Sequence, residues 1–300
     1  MAPSSSSVIP GTVRERYELG EATITVALDA GPRVVGYELA GHRNLFADLP
    51  DAVIDHPAAG RFWFIGGHRL WRAPEEPPVT YQSDHHAVEV VKEGGSLTVS
   101  GPPDSDGIVK VLTLTQHGPL TVVDHMLENV GTRSIDAAPW ALTQLVPGGR
   151  AILPNSVDNV DADGLLPNRT VVLWPYSDVA ASGVSISRSE IRIETSENST
   201  KFKIGQPNRR GWVAYGMGDE LFVKWAPLHD DLSSYVDLGS SIQCYVDSRF
   251  VELESLGPLT SLEPGDHCHH REVWTMLRGN GDNSDSLASL PPDPGGMQAN

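Results

Sequence analysis

Two glutamates near the end of the chain have the spacing needed for acid–base chemistry. Glu252 and Glu254 lie in a stretch that begins at Phe250 and has the alternation of a β-strand. Because strand side chains alternate between faces, both carboxylates and Phe250 would share one face, opposite Val251 and Leu253. Neighbouring carboxylates repel each other, which raises the pKa of one unless a cation or hydrogen-bond donors intervene. Such a pair can move protons or bind hydroxyl groups. The structural alternative is the polar, solvent-facing side of a half-buried strand.

An aromatic segment, residues 58–82, offers groups of the kind that bind sugars. It has no strand or helix period, so we predict a long ordered loop. It carries Trp63, His68, Arg69, Trp71, Arg72 and Glu75. Tryptophan stacks on sugar faces, while Arg, His and Glu form hydrogen bonds with hydroxyl groups. Such a loop on a rigid β scaffold suits the wall of a binding site. Alternatively, the tryptophans close the end of a sandwich and the charges pair with one another.

Two groups of histidines raise the questions of proton transfer and metal binding. Asp84-His85-His86 opens a predicted strand, and histidine is suited to proton transfer near neutral pH. Adjacent strand residues point in opposite directions, so only one of the two histidines can face a given cleft; the alternative is a pair of surface histidines. The second group, His-Cys-His-His at 267–270, alternates between strand faces. It therefore cannot converge on a tetrahedral zinc ion without a bulge, and we predict no metal.

Polar and aromatic residues also recur along the late strands. They are Lys203, Trp212, Tyr215, Lys224, Tyr235, Asp237, Gln243 and Tyr245. On one sheet face they would line a cleft, although each alone is more often structural. The chain has no GxSxG motif, no P-loop and no dinucleotide-binding fingerprint.

Composition limits the partners and the compartment. The 300 residues carry a net charge of -17 with a pI near 4.9, which argues against nucleic acids and anionic membranes. No apolar run approaches the ~20 residues that span a bilayer, and the first ten residues lack the features of a secretory signal. We therefore expect free thiols at Cys244 and Cys268 and a cytoplasmic protein. We expect it to act as a monomer or homodimer.

The elements that must position these residues are strands. Short runs rich in Val, Thr and Ile recur through the chain, which predicts roughly fourteen to eighteen strands. No linker divides them, so we predict an all-β fold, a large antiparallel sandwich, in one domain over residues 12–278. Residues 1–11 and 279–300 are predicted to be disordered.

The order of five motifs resembles the galactose mutarotase-like supersandwich proteins, and among them an uncharacterised, DUF4380-type branch. The motifs are GGHRLWRAPE, ENVGTRSIDAAPWALTQLVPGG, KIGQPNRRGWVAYG, YVDLGSSIQCYVD and FVELESLGPLTSLEPGD. The resemblance covers about residues 15 to 278 and implies an antiparallel supersandwich.

This resemblance also implies roles for particular residues. In aldose 1-epimerases a late-strand Glu acts as the general base, which matches Glu252 or Glu254; spacing alone does not decide which. The segment 66–75 is similar to a family loop, and the histidines at 85 and 86 fall where a sugar-binding His follows that loop. One position departs from the pattern: where the epimerases carry their acid His, the chain reads Trp140-Ala-Leu-Thr-Gln144, which offers no acid near pH 7.

We therefore predict a carbohydrate-active protein that carries out epimerase- or isomerase-type proton transfer on a sugar or similar small molecule. The predicted catalytic residues are Glu254, Glu252, His85 and His68. The predicted substrate-binding residues are Arg69, Trp71, Arg72, Glu75, His86, Trp140, Gln144, Lys203 and Tyr245. The resemblance requires no metal or organic cofactor. The alternatives are a non-catalytic carbohydrate-binding protein, or a scaffold recruited for lyase, cyclase or isomerase chemistry on a specialised metabolite.

Overall fold

Two antiparallel β-sheets stack face to face in the computed structural model. It describes residues 11–181 and 183–279, together with residues 281, 287, 290 and 294. The predicted disordered segments 1–11 and 279–300 lie mostly outside the described residues. The all-β prediction is confirmed.

The first half of the chain contains strands β1 to β11 and one short helix. They are β1 (Arg14–Leu19), β2 (Ala22–Ala27), β3 (Arg33–Leu39), β4 (Asp48–His56), β5 (Gly60–Ala73), α1 (Pro77–Thr80), β6 (Glu89–Glu93), β7 (Ser96–Ser100), β8 (Ile108–His117), β9 (Leu120–Asn129), β10 (Ile135–Leu145) and β11 (Arg150–Pro154).

The second half contains the remaining strands, a 3₁₀ turn at Leu232–Ser234 and one further helical turn. They are β12 (Val172–Leu173), β13 (Val184–Ile186), β14 (Glu190–Glu194), β15 (Phe202–Gln206), β16 (Trp212–Met217), β17 (Glu220–Trp225), α2 (Val236–Gly239), β18 (Ile242–Val246), β19 (Val251–Leu256), β20 (Thr260–Leu262) and β21 (His267–Arg278).

The first sheet has eleven strands, in the order β1-β2-β3-β5-β10-β19-β18-β15-β12, with β4 pairing β5 and β20 pairing β10. The second sheet has ten, in the order β13-β14-β11-β16-β17-β21-β9-β8-β7-β6. The main core lies between them and includes edge-to-face contacts among Tyr37, Phe46, Phe222 and Trp274.

Strand β5 corrects the prediction of a long loop. Residues 60–73 are a strand, and the irregular parts of the predicted loop are residues 58–59 and the chain after Ala73 apart from α1. Gly66 and Gly67 have φ values of 98° and 71°, and a Cβ there would lie 1.9 Å from the Ala47 carbonyl oxygen and 2.1 Å from that of Val34. Only glycine permits this approach. At this point β5 changes partner from β4 to β10.

The segment at 84–86 also differs from its prediction. The strand expected there begins at Glu89, so His85 and His86 lie in irregular backbone and do not alternate between two sheet faces. None of the helices in the described residues has the length and apolar character to cross a membrane. Cys244 and Cys268 are both free thiols, Cys244 buried and Cys268 partly buried.

Candidate functional site

Five adjacent strands of the first sheet place a row of polar and aromatic side chains on one face. Strand register puts Trp140 of β10 opposite Trp71 of β5, and Gln144 of β10 opposite Glu252 of β19. It also puts Tyr245 of β18 opposite Glu252. Lys203 of β15 lies opposite Tyr245. Because opposed residues point to the same face of a sheet, the alternation predicted for 250–254 places both glutamates on the side away from the main core.

These side chains form a cleft with a cavity of about 320 Å³. Its walls are mainly aromatic: Trp71, Trp140, Trp174, Tyr176, Tyr245 and Phe250. The polar groups that border it are Glu252, Glu75, Lys203, Lys201 and Arg249. An apolar pocket with a few convergent polar groups is the usual form of a small-molecule site. Aromatic faces beside hydrogen-bonding groups suit a sugar, which has both apolar C–H faces and hydroxyl groups.

Of the two paired glutamates, Glu252 is the one that borders the cavity. Its Oε1 atom accepts hydrogen bonds from Arg69 Nη2 at 3.1 Å and from Gln144 Nε2 at 2.9 Å. Burial and the nearby charge of Glu254 raise the pKa of Glu252 to about 7, against the opposing effect of Arg69 and Lys203. Since both donors contact Oε1, a proton taken up near neutral pH would reside on Oε2. Glu252 is therefore able to donate or accept a proton under physiological conditions.

Glu254 lies deeper and does not border the cavity. Its Oε2 atom accepts hydrogen bonds from Trp140 Nε1 at 2.7 Å and Lys203 Nζ at 3.0 Å. Its Oε1 atom is buried and has no hydrogen-bond partner. The Lys203 ammonium also lies 4.9 Å from the ring centre of Trp140 and 4.7 Å from that of Trp174. Glu254 thus acts on the cleft through its charge, which favours the protonated form of Glu252.

Arg69 is held rigidly behind Glu252. Its guanidinium carbon lies 4.1 Å from the ring centre of Trp71, and its side chain is almost fully buried. Burial and the neighbouring Arg33 lower the pKa of Arg69 to about 10, so it remains charged at neutral pH. Stacking and the hydrogen bond to Glu252 fix its orientation.

Four of the predicted site residues lie away from this cleft. Arg72 pairs with Asp106, and His86 borders a separate cavity together with Arg72. The His85 ring contacts Trp63, with ring centres 4.4 Å apart and ring planes inclined by 58°. His68 lies opposite Thr143, on the face that points into the space between the sheets, and is fully buried. The other predicted residues lie in or directly beneath the cleft.

His68 belongs to a buried polar network between the sheets. His125 Nδ1 lies 3.0 Å from the His270 carbonyl oxygen, so it must donate a proton there. His125 Nε2 then accepts from His68 Nε2 at 2.8 Å. His68 Nδ1 in turn accepts from the Thr143 hydroxyl at 2.9 Å. One set of neutral tautomers therefore satisfies the whole chain of hydrogen bonds.

A buried ion pair completes this network. Lys224 Nζ lies 2.7 Å from Glu272 Oε1, 2.9 Å from the Leu253 carbonyl oxygen and 3.2 Å from Thr143 Oγ1. Trp274 Nε1 donates to Glu272 Oε2 at 2.7 Å. His68, His125 and Glu272 place one ligand atom each within 4.8 Å of one another, a spacing that a metal ion can use. In this arrangement those atoms are already engaged in hydrogen bonds and in the ion pair.

Sequence reasoning missed this network and part of the cleft. His125 and Glu272 lie on β9 and β21, and only the fold brings them to His68. Trp174, Tyr176 and Lys201 come from irregular chain next to β12 and β15. The clustering of Trp174 and Tyr176 around Pro175 is a usable signal for a binding surface.

Comparisons with known proteins support the fold. No family model matches the chain, and no curated protein matches it. Among solved structures, a galactose mutarotase-like protein from Lactobacillus casei covers 88% of this chain and 100% of its own, with 8% identity and a TM-score of 0.56. A galactose mutarotase related enzyme from Lactobacillus acidophilus covers 90% and 99%, with 8% identity and a TM-score of 0.54.

A TPR-domain containing protein from Parabacteroides distasonis gives a TM-score of 0.62 with 13% identity. The match covers 95% of this chain and 50% of that protein. At such identities the likeness concerns the fold alone. The chain has the galactose mutarotase-like sandwich fold, as the resemblance in its motifs implied.

Proposed function

We propose that the cleft binds a sugar or a sugar-like polyol and that Glu252 transfers a proton to or from it, in an epimerase- or isomerase-type reaction. The observation that carries this proposal is that a carboxyl group with a pKa near 7, Glu252, borders an aromatic cavity. Glu252 would accept the proton of the anomeric hydroxyl as the bond between C1 and the ring oxygen breaks, and solvent water would protonate the ring oxygen. Trp71, Trp140 and Trp174 would pack on the ring.

Glu254 and Lys203 have supporting roles in this proposal. Glu254 raises the proton affinity of Glu252 by charge repulsion, and the positive charge of Lys203, which pairs with Glu254, lowers it. Gln144 occupies the region where the resemblance places an acid histidine, and it holds Glu252 instead.

A second candidate is a non-catalytic carbohydrate-binding protein. Among the described residues that border the cleft there is no histidine. Burial raises the pKa of Tyr81, Tyr176 and Tyr245 above the ordinary value for tyrosine, so these hydroxyls donate hydrogen bonds but are poor proton donors for catalysis. This observation favours binding without turnover.

The experiment compares anomer exchange of α-glucose and α-galactose, by polarimetry and NMR, in the wild type and in Glu252→Gln. If Glu252 is the base, the substitution should slow exchange by about 100-fold or more. Glu263→Gln, which changes an exposed glutamate, is the matched control and should leave the rate unchanged. A Glu252→Gln protein with the wild-type rate would contradict the proposed role.

The same proteins separate the two candidates. Protection by sugars in thermal unfolding without any acceleration of exchange would identify a binding protein. Acceleration with neither sugar and protection by neither would refute both and favour other chemistry on the same scaffold, such as that of a lyase or cyclase.

The placement in the DUF4380-type branch and in the cytoplasm belongs to the same proposal. The five motifs support the branch, and the two free thiols support a reducing compartment.

A further inference from the structure

We infer that a second cavity, next to the cleft, is a binding site for a neutral polyhydroxy group; this inference rests on the proposed function of the cleft. The second cavity has a volume of about 180 Å³ and lies between β5 and the irregular segments near residues 79–86 and 102–105. Two of the predicted substrate-binding residues that do not border the cleft, Arg72 and His86, border this second cavity.

Three residues that border the second cavity contain buried polar atoms without a hydrogen-bond partner. They are Arg69 Nε, Asp84 Oδ1 and His86 Nδ1. Buried polar atoms are nearly always satisfied, by protein, by water or by a ligand. Asp84 and Arg69 are otherwise well fixed: Asp84 Oδ2 pairs with Arg33, and Arg69 Nη2 contacts Glu252. Arg69 and Asp84 are therefore fixed in place, and each keeps one polar atom, an N–H donor and a carboxylate acceptor, that no described protein group satisfies.

The charges around the second cavity select the kind of ligand. Arg72 pairs with Asp106, and Lys110 pairs with Asp104 at 3.0 Å, so these charges are largely compensated. An anion would meet the free oxygen of Asp84, and a cation would meet Arg69. A hydroxyl group can donate to Asp84 and also accept from Arg69. Pro32, Pro102 and Pro103 supply apolar surface for C–H groups, which completes a surface suited to a sugar ring or a similar polyol.

The second cavity lies beside the cleft. Trp71 borders both, and the segment around α1 lies between them: Glu75 and Tyr81 border the cleft, whereas Thr80 borders the second cavity. Arg69 borders the second cavity while its Nη2 atom binds Glu252, which borders the cleft. A ligand hydroxyl on Arg69 Nε would therefore sit one side chain away from the proposed base. The ligand is either the second ring of a larger substrate or a separate small polyol.

The experiment measures binding by isothermal titration calorimetry with glycerol, glucose, galactose, maltose and lactose. Ser83 is exposed and borders the second cavity, so Ser83→Trp should fill it with little risk to folding. Ala87→Trp places the same bulk on a nearby exposed residue outside that cavity and is the control. If the ligand is a second ring, a disaccharide should bind about tenfold more tightly than its monosaccharide, and Ser83→Trp should abolish that difference.

If the ligand is a separate polyol, glycerol or a monosaccharide should bind at two sites per chain, and Ser83→Trp should reduce this to one. One site per chain, with affinities that Ser83→Trp leaves unchanged for every sugar that binds, would overturn the inference. In that outcome the proposed cleft function survives if Trp174→Ala weakens the remaining site. Binding that Trp174→Ala leaves intact but Ser83→Trp abolishes would support the second cavity and refute the cleft. Binding of none of the five probes would overturn both.

Discussion

Removing the charge of Lys224 should destabilise the protein far more than removing a surface charge. Lys224 and Glu272 are both fully buried, and the ammonium group contacts Glu272, the Leu253 carbonyl oxygen and Thr143 at 2.7, 2.9 and 3.2 Å. In Lys224→Met the Glu272 carboxylate would stay buried without its counter-charge. Breaking a buried pair in this way costs about 3–5 kcal/mol of the free energy of unfolding. Leu253 lies between the two site glutamates, so the strand that carries them would also lose an anchor.

The measurement is urea unfolding followed by tryptophan fluorescence, in a double-mutant cycle with Glu272→Gln. The double variant should be more stable than the sum of the two single effects predicts, because it contains no unpaired buried charge. We expect a coupling of about 2 kcal/mol. Arg16→Met removes one partner of an exposed pair, Arg16 with Glu38, and should cost at most about 1 kcal/mol. A loss for Lys224→Met no larger than that of Arg16→Met, or purely additive effects in the cycle, would refute this account of the network.

Two further predictions concern protonation. Glu254→Gln should lower the pKa of Glu252 below about 7, and Lys203→Met should raise it, because Glu254 raises and Lys203 lowers that pKa; NMR titration of the Glu252 carboxyl carbon measures both, and shifts of the same sign would contradict the charge model. Acid should also destabilise the protein. Burial lowers the pKa of His68, His125 and His270, the last to about 3. Below about pH 6.5 these histidines therefore become protonated in the unfolded chain but stay neutral in the folded protein. Each such histidine lowers the free energy of unfolding by about 1.4 kcal/mol for each unit by which the pH falls. Glu252 has the opposite effect, because its raised pKa lets the folded protein bind one proton that the unfolded chain does not. The destabilisation from three histidines is larger than the stabilisation from this one carboxyl group. Urea unfolding at pH 7.5 and 5.5 tests this, and equal stability would contradict it.

The sequence predicted those features that depend only on local periodicity. The common face of Glu252 and Glu254 followed from alternation, and the register of β19 with β10 and β18 agrees with it. Short runs of Val, Thr and Ile that recur through the chain were enough to predict an all-β sandwich. These inferences succeed because the period of a strand is fixed by backbone geometry and needs no knowledge of distant partners.

Strand β5 shows where such reasoning stops. Nearly all of residues 62–73 are buried, so apolar and polar residues do not alternate and the strand resembled a loop. Its charged and polar groups are satisfied by partners far away in sequence: Arg69 by Glu252, and His68 by Thr143 and His125. A buried arginine or histidine in the sequence gives no sign of its burial, because the compensating groups lie on other strands.

The arrangement around Glu252 argues for function more strongly than the presence of two glutamates does. A pair retained only for stability would have each carboxylate compensated, as Glu272 is: burial alone would raise its pKa, but the Lys224 ammonium holds it well below the usual range. Glu252 has two donors on one oxygen, yet burial and Glu254 still raise its pKa to about 7. A buried carboxyl left near its midpoint at neutral pH stabilises the fold little and is suited to proton transfer. The cleft and the network thus use similar groups in opposite ways. The network keeps the Glu272 carboxylate ionised, whereas the cleft leaves Glu252 able to exist in either protonation state near neutral pH.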